Sequence, residues 1–319
     1  MSFGTITVQQ GEPALRLDQI LLSALQKQSP KLSRRKLKVW FSEKKVRRNG
    51  KALPSHFVLP EGEHEVEIEA LESLLADVSG WSARAMKNPP SSEAILYEDE
   101  SLLVLNKPSG LPSVPLTEKE TETAVGMALN YFPALKNALG DSQEPGLLHR
   151  LDNSTSGALA FAKTPEDFKR LKQAWRSGEV KKTYRAIVDQ KQAVLALGTI
   201  PKVITTPLAH DPKSKKKMIA VRTSNQDFRG RILRARTSIQ RLTPLSKNLW
   251  DLEIQIETGV MHQIRCHLAS LGMPILGDPI YKGGASERIW LHAWRLAVPT
   301  RDQTELIVEA QLPKDWPRA

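Results

Sequence analysis

Residues 146–164 read GLLHRLDNSTSGALAFAKT and place charged and hydroxyl side chains between two apolar runs. Two bases, an acid and three small hydroxyls follow closely on one another there: His149, Arg150, Asp152, Ser154, Thr155 and Ser156. Taken alone, Asp152 is typical of a turn, because Asp, Asn, Ser and Thr side chains bond nearby backbone groups. The stretch therefore predicts a loop that carries Asp152 between two buried segments, and the rest of the chain indicates whether that loop has a chemical role.

Composition points to a globular protein with a polyanionic partner. The 319 residues are 40% hydrophobic and 25% charged, and this length favours one small and one large domain. A net charge of +11, from 46 Lys plus Arg against 35 Asp plus Glu, favours a polyanionic partner over a neutral small molecule. The one cysteine, Cys266, excludes an internal disulfide and a multi-cysteine metal site. With no apolar run of about 18 residues, we expect a cytoplasmic protein without a membrane partner.

Residues 15–70 have the pattern of one compact unit. Leu17, Ile20 and Leu25 follow helical spacing, and a second helix is predicted to begin at Ser33, a good N-cap residue. The Asn49-Gly50 pair that follows is a strong hairpin signal. Beyond it, EHEVEIEA alternates apolar and acidic residues, as a half-buried strand does.

The basic residues are concentrated within this unit. Residues 31–51 contain ten Lys or Arg and one acid, Glu43. The succession RLDQIL, LSRRKLKVWF, KKVRRNGKAL and PEGEHEVEI resembles an S4-like RNA-binding domain, in which the second helix and the next turn present basic side chains to RNA phosphates. The resemblance implies RNA contacts by Arg34, Arg35, Lys38, Arg47 and Arg48.

The remaining chain is predicted to be a linker and a larger domain. Residues 71–92 lose periodicity and end in Pro-Pro-Ser-Ser, so we divide the chain into a small α/β domain at 1–70, a linker at 71–92 and a larger domain at 93–319. A helix is predicted between Thr164 and Gly178, which carry cap signals. Strands outnumber helices, which indicates an α+β class with a mixed, largely antiparallel sheet.

Two further stretches carry candidate site residues. KKTYRAIV predicts a strand that places Lys182 and Tyr184 on one face. The run TGVMHQIRCHLASLG at 258–272 is predicted to be helical, which makes His262 and Arg265 neighbours on the helix surface. An Arg held in this way beside a loop carboxylate keeps that acid ionised. His262 and His267 lack a Cys or carboxylate to complete a tetrahedral set, so we predict no zinc site.

Together these segments resemble the RluA-type RNA pseudouridine synthases. The resemblance rests on His149-Arg150-Leu151-Asp152 with Thr155-Ser156-Gly157, supported by VLNKPSGLP, KKTYRAIV, HQIRCHLASLGMPILGDPIY and LHAWRLAVP. It extends from about residue 15 to residue 313 and implies a pseudouridine synthase fold behind the S4-like domain. One departure is Val260, where the family commonly has Arg.

The resemblance implies an isomerase that turns specific uridines of structured RNA into pseudouridine, with ribosomal RNA expected before transfer RNA. It gives Asp152, Tyr184 and Arg265 catalytic roles, and it implies substrate contacts by His149, Arg150, Thr155, His262 and Gln263. No cofactor, metal or DNA partner is expected, and a monomer is the default. Asp152 has three open routes: attack on the sugar, attack on the base, or removal of a proton from the sugar.

Two other functions remain open at this point. A non-catalytic RNA-binding or ribosome-assembly factor could retain the fold, although both Asp152 and Arg265 are present. A glycoside-type hydrolase needs a second catalytic carboxylate, and the signature contains no equally well-marked acid. The basic stretches at 210–221 and 227–241 are compatible with RNA contact or with solvated loops.

Overall fold

The computed structural model describes residues 3–12, 14–29, 32, 34–76, 82–88, 91–117, 119–140, 143–189, 200–223, 225–246 and 248–318, without the side chains of 34–36, 73, 76 and 92. The chain divides into two compact units, Met1–Ser82 and Ala83–Ala319. The boundary between them falls inside the segment 71–92 that the sequence assigned to a linker.

The first unit packs helices on a small antiparallel sheet. Its strands are β1 (Phe3–Gln10), β2 (Val46–Arg48), β3 (Lys51–Ala52) and β4 (Gly62–Glu69), in the order β1-β4-β2-β3. Its helices are α1 (Leu17–Gln28), α2 (Arg34–Ser42) and α3 (Leu71–Ala76). Leucines of α1 and α2 pack with valines and isoleucines of β1, β2 and β4 in one buried cluster.

Several details of this unit differ from the sequence-based expectation. The hairpin is present, with positive φ at both Asn49 (49°) and Gly50 (72°), as a type I′ turn requires. The strand β1 was not predicted. Helix α3 lies in the segment that was predicted to be a linker. It belongs to the first unit, since its Leu74 is fully buried in the core of that unit. Ser33, the predicted N-cap of α2, lies outside the described residues.

The second unit contains most of the secondary structure. Its strands are β5 (Ile95–Glu98), β6 (Leu102–Lys107), β7 (Ser156–Ala162), β8 (Lys181–Asp189), β9 (Val203–Ile204), β10 (Leu208–His210), β11 (Met218–Ala220), β12 (Arg229–Leu233), β13 (Thr237–Pro244), β14 (Leu249–Ile256), β15 (Leu291–Pro299) and β16 (Glu305–Glu309). Its helices are α4 (Ala124–Tyr131), α5 (Pro165–Ser177) and α6 (Gln263–Ser270), with short 3-10 turns at Ser92–Ala94 and Pro133–Asn137.

In the described part of this unit, nine strands form one sheet. Their order is β5-β6-β7-β15-β8-β14-β13-β9, and β16 pairs with the C-terminal part of β15, from Arg295 to Pro299. β7 runs parallel to β15, whereas the other pairings described are antiparallel. The predicted α+β class with a mixed, largely antiparallel sheet is confirmed. Strands β10, β11 and β12 form a separate small sheet.

The large sheet has a helix-covered core on each face. Helix α5 begins at the predicted cap, where Thr164 Oγ1 accepts from Asp167 N at 3.1 Å, and ends at Gly178 in the left-handed conformation. It buries Leu171 against one face, whereas α4 and α6 cover the other. Tyr184 on β8 belongs to the α4 and α6 side, as do Ile264 and Leu268 of α6. None of the described helices is long and apolar enough to cross a membrane.

Candidate active site

Asp152 lies in a tight turn just before β7. The turn is closed by Thr155 N, which donates to Asp152 O at 3.0 Å. Gly157 follows on β7 with φ +109°, and a Cβ at this position would lie 2.2 Å from Ala293 O of the parallel strand β15. Only glycine permits this close approach. The small residues after Asp152 therefore fix the point at which the turn enters the sheet.

Lys107, at the end of β6, holds the turn by hydrogen bonds. Its fully buried Nζ donates to Pro108 O at 3.0 Å, Leu111 O at 2.6 Å and Asn153 O at 3.0 Å. Burial lowers the pKa of Lys107 to about 7, and the negative charge of Asp152 opposes this shift. Three carbonyl acceptors match the three N–H groups of an ammonium, so Lys107 joins its own loop to the residue after Asp152.

Serines of the same loop add two further ties. Ser109 Oγ donates to Ser154 O at 2.8 Å, and Ser113 Oγ donates to Leu151 O at 2.6 Å. Leu151 N in turn donates to Ser113 Oγ at 3.1 Å. The backbone on both sides of Asp152 is thus held by the NKPSGLPS segment, which makes the position of the carboxylate well defined.

Arg265 joins Asp152 to a second, buried carboxylate. Its Nη1 donates to Asp152 Oδ2 at 3.0 Å, while Nε and Nη2 donate to Asp278 at 2.7 and 3.0 Å. The side chain of Asp152 is 25% exposed, that of Arg265 4% and that of Asp278 0%. Burial lowers the pKa of Arg265, but the bonds and charges of the two carboxylates outweigh burial and raise it. Arg265 is therefore a fixed cation.

His262 completes the surroundings of the carboxylate. Its Nε2 lies 3.7 Å from Asp152 Oδ2 and its Nδ1 lies 3.3 Å from Tyr281 Oη. Burial lowers the pKa of His262 although Asp152 opposes the shift, so the ring is neutral at pH 7. His262 has φ 54° and precedes α6, which begins at Gln263. The helix predicted over 258–272 is therefore wrong in its first turn, and His262 approaches Asp152 from a loop.

Gln263 explains where that helix begins. Its Oε1 accepts from Thr258 Oγ1 at 2.8 Å and from Val260 N at 3.1 Å. Its Nε2 donates to Arg236 O at 2.9 Å and to Thr237 Oγ1 at 3.0 Å. These bonds hold the preceding residues in a turn. The amide that was predicted to bind substrate is thus used for contacts within the protein.

Two other predicted site residues face in different directions. Tyr184 is buried on the α6 side of the sheet, and burial, together with the charge of Asp152, raises the pKa of its phenol. His149 instead accepts from Ala160 N at 3.2 Å and stacks on Trp175 at 5.2 Å. Burial lowers the pKa of His149 to about 3. Its contacts are with β7 and α5, which gives it a packing role.

The other predicted residues near the turn differ in exposure. Arg150 is exposed, whereas Thr155 is 2% exposed and contributes its backbone to the turn. Within the described residues, no group of three His, Cys, Asp or Glu side chains is arranged to hold a metal ion.

The structure also identifies three site residues that sequence reasoning did not assign. They are Lys107, which contacts the Asp152 turn, Asp278, which contacts Arg265, and Tyr281, which contacts His262. Their segments, NKPSGLP and GDPIY, had been noted as motifs, but the sequence offered no partner for each polar group. The signals available in the sequence were a lysine and an aspartate that interrupt otherwise apolar, Gly- and Pro-containing motifs outside the main signature.

Comparison with known proteins identifies the family of this chain. Residues 101–270, which include Asp152, Tyr184 and Arg265, match the family model described as RNA pseudouridylate synthase. The chain belongs to the RNA pseudouridylate synthase family. It is therefore an RNA pseudouridine synthase, and RNA is its substrate.

Relatives extend the family match over most of the chain. A ribosomal large subunit pseudouridine synthase D of Zymomonas mobilis is 32% identical over 83% of this chain and 76% of its own. One from Nitrosomonas europaea is 30% identical over 97% of this chain and 85% of its own. An uncharacterized RNA pseudouridine synthase of Bacillus subtilis is 31% identical over 93% and 91%.

Solved structures support the synthase fold. Human RNA pseudouridylate synthase domain containing 4 aligns with a TM-score of 0.52 and 26% identity, over 69% of this chain and 89% of its own. The human domain containing 1 aligns with the same TM-score at 22% identity, over 71% and 86%, and shows the fold alone.

Proposed function

We propose that this synthase converts specific uridines of ribosomal RNA into pseudouridine, with Asp152 as the reacting carboxylate. The observation that carries the proposal is the half-open Asp152 carboxylate, 3.0 Å from the buried Arg265. The relatives from Zymomonas and Nitrosomonas are named for the ribosomal large subunit, which favours ribosomal over transfer RNA.

The reaction exchanges one bond for another within the nucleotide. A stacked uridine must first be flipped out, at a cost of a few kcal/mol. The bond from C1′ to N1 then breaks, the uracil rotates, C5 bonds to C1′, C5 gives up its proton to solvent, and N1 takes up a proton. No external reductant, oxidant or cofactor enters this balance. On each of the three routes open to Asp152, its carboxylate loses its negative charge, by forming an ester or by taking a proton.

We assign Tyr184 to contact with the uracil ring. Its raised pKa keeps the phenol protonated at neutral pH, which disfavours a role as the base that removes the C5 proton. Tyr184 lies in the buried cluster on the α6 side of the sheet, close enough to Asp152 for the charge of that carboxylate to raise the pKa of its phenol. Arg265 orients the carboxylate before the reaction through its hydrogen bond to Asp152 Oδ2.

We assign RNA backbone contacts to two basic surfaces. In the first unit, Lys38 is exposed and Arg48 is half-buried beside His64. The exposure of Lys38 supports the S4-like role. Arg47 Nη2 lies 3.8 Å from Glu69 Oε2. The side chains of Arg34 and Arg35 lie outside the described residues. In the second unit, β12 is exposed along most of its length and carries two arginines.

Charge reversal in the first unit should weaken RNA binding without changing the chemical step. For the double variant Lys38→Glu and Arg48→Glu, we expect about a tenfold higher Kd and a salt slope lower by about 0.7 to 0.9 for each phosphate that is no longer neutralised. The measurement is filter binding to a large-subunit RNA transcript at several salt concentrations. Lys27→Glu, an exposed change outside residues 31–51, is the control. Equal affinity in the test and control variants would contradict the S4-like assignment.

The proposed substrate can be tested directly. Total RNA from a strain that lacks the gene is incubated with the purified protein, and pseudouridines are mapped by carbodiimide-dependent primer extension. We expect new stops in large-subunit ribosomal RNA with the wild type and none with Asp152→Ala. Stops confined to transfer RNA would contradict the ribosomal assignment. RNA binding with no stops at all would favour a non-catalytic assembly factor.

The cellular setting follows from the same proposal. We place the enzyme in the cytoplasm, where ribosomal RNA is processed, and the single cysteine is compatible with a reducing compartment. A monomer that binds RNA and not DNA remains our prediction.

A further inference from the structure

Asp278 is a buried carboxylate whose bonding capacity is filled. Its Oδ2 accepts from Arg265 Nε, and its Oδ1 accepts from Arg265 Nη2, from Ile280 N at 3.0 Å and from Tyr281 N at 3.2 Å. It has 0% exposure. An ionised carboxylate in such a position requires a compensating cation, and Arg265 is that cation.

The loop around Asp278 is rigid. Gly277 has φ +81°, and a Cβ there would lie 1.9 Å from Arg288 O. A Cβ on Gly283 would lie 1.8 Å from Ile275 O. Both glycines are therefore required for the close backbone packing of this loop. Asp278 is thus fixed before RNA binds, and it sets the plane of the Arg265 guanidinium so that Nη1 is directed at Asp152.

Asp152, Arg265 and Asp278 form a row of alternating charges, and Asp152, at one end of the row, is the proposed reacting group. In the resting enzyme, the Arg265 cation lies between Asp152 and Asp278. When Asp152 loses its charge, a buried arginine without a second partner would become an uncompensated cation, which is costly at a buried position. Asp278 removes this cost. It also shares the hydrogen-bond donors of Arg265 with Asp152.

We propose that Asp278 is a positioning residue of this reaction, which orients Arg265 and compensates its charge during the step in which Asp152 loses its own. The inference rests on the proposed role of Asp152 as the reacting carboxylate. Asp278 lies beyond the residues 101–270 that match the family model.

Two variants separate charge from shape. Asp278→Asn keeps the shape and removes the charge, whereas Asp278→Glu keeps the charge and changes the shape. The assay is single-turnover release of tritium from a large-subunit ribosomal RNA transcript labelled at C5 of uridine. For Asp278→Asn we expect a rate constant about 10- to 100-fold below wild type, by analogy with the range seen when hydrogen-bonding partners of metal-ligating side chains are removed. We expect an unchanged Kd for the transcript, and a smaller loss in Asp278→Glu.

A matched control removes an equivalent carboxylate elsewhere. Asp251 is 5% exposed and accepts two bonds from Arg185 and one from Trp316 Nε1 at 3.0 Å. Asp251→Asn therefore leaves a buried arginine without its carboxylate but does not touch Asp152. We expect it to lower the melting temperature and the amplitude of tritium release, with the wild-type rate constant retained in the folded fraction.

The outcomes are distinct. A wild-type rate constant in Asp278→Asn overturns the inference, as does a greater loss in Asp278→Glu than in Asp278→Asn. If Asp278→Asn does not fold, Asp278→Glu decides alone, and a rate constant below about a tenth of wild type contradicts the charge role. A wild-type enzyme that releases no tritium contradicts the proposed function and this inference with it, whereas failure in the variants alone concerns only Asp278.

Discussion

Asp152→Asn is expected to abolish pseudouridine formation, with a rate constant lower by about four orders of magnitude or more. The amide has the size of the carboxylate, so the turn closed by Thr155 N persists. It cannot form the ester or accept the proton that the reaction requires on any of its routes. Arg265 retains Asp278 as a partner, so the fold should be preserved.

RNA affinity distinguishes this loss from a binding defect. Binding depends mainly on phosphate contacts, so we expect the Kd of Asp152→Asn to stay within about twofold of wild type. Tritium release and filter binding on the same transcript measure the two quantities. Asp302→Asn, an equivalent change at an exposed position, serves as the control. More than a tenth of wild-type activity in Asp152→Asn would refute the assignment.

Lys107→Met is expected to destabilise the protein and slow the reaction. Methionine has a similar length but cannot donate, so the carbonyls of Pro108 and Leu111 lose a partner. Each unsatisfied carbonyl costs about 1–3 kcal/mol, and removal of a buried charge offsets part of this. We expect a net loss of about 2 kcal/mol in unfolding free energy. The turn also loses the bond from Lys107 to Asn153 O, while Gly110 N still donates to that carbonyl. A 1 Å displacement of Asp152 can cost about 100-fold in rate.

Urea unfolding and single-turnover tritium release test this prediction together. Lys163→Met is the matched control, because Lys163 Nζ bonds Glu98 at 2.9 Å and contacts the Phe132 ring just beyond the far end of β7. We expect the control to lose stability and keep its rate constant. If both variants show the same rate constant as wild type, Lys107 does not position the Asp152 turn.

Elements with local signals were predictable from the sequence. The Asn49-Gly50 turn formed as expected because both residues tolerate positive φ, and α5 runs between its Thr164 cap and Gly178. Helical spacing failed at residues 258–262. The apolar spacing continued through that stretch. The side-chain oxygen of Gln263, however, accepts bonds from Thr258 and Val260 and holds these residues in a turn, so the helix begins only at Gln263.

The residues of the candidate site also differ in how far the sequence predicts them. Asp152, Tyr184 and Arg265 could be named because each lies in a short motif with a recognisable order of residue types. Gln263 and His149 lie in the same motifs, yet their polar atoms bond the protein itself. A motif fixes which residues occur together, whereas the direction of each side chain depends on the elements packed around it.

The sequence by itself determined the family, the α+β class and the position of the loop that carries Asp152, because these follow from local motifs and alternating patterns. Only the tertiary structure decided which groups surround Asp152. The bond from Arg265 to Asp152 joins residues 113 positions apart, and that from Lys107 to Asn153 joins residues 46 apart. Such contacts exist only after separate strands and loops have packed, so the clamp at Lys107 and the second carboxylate at Asp278 became visible only in the fold.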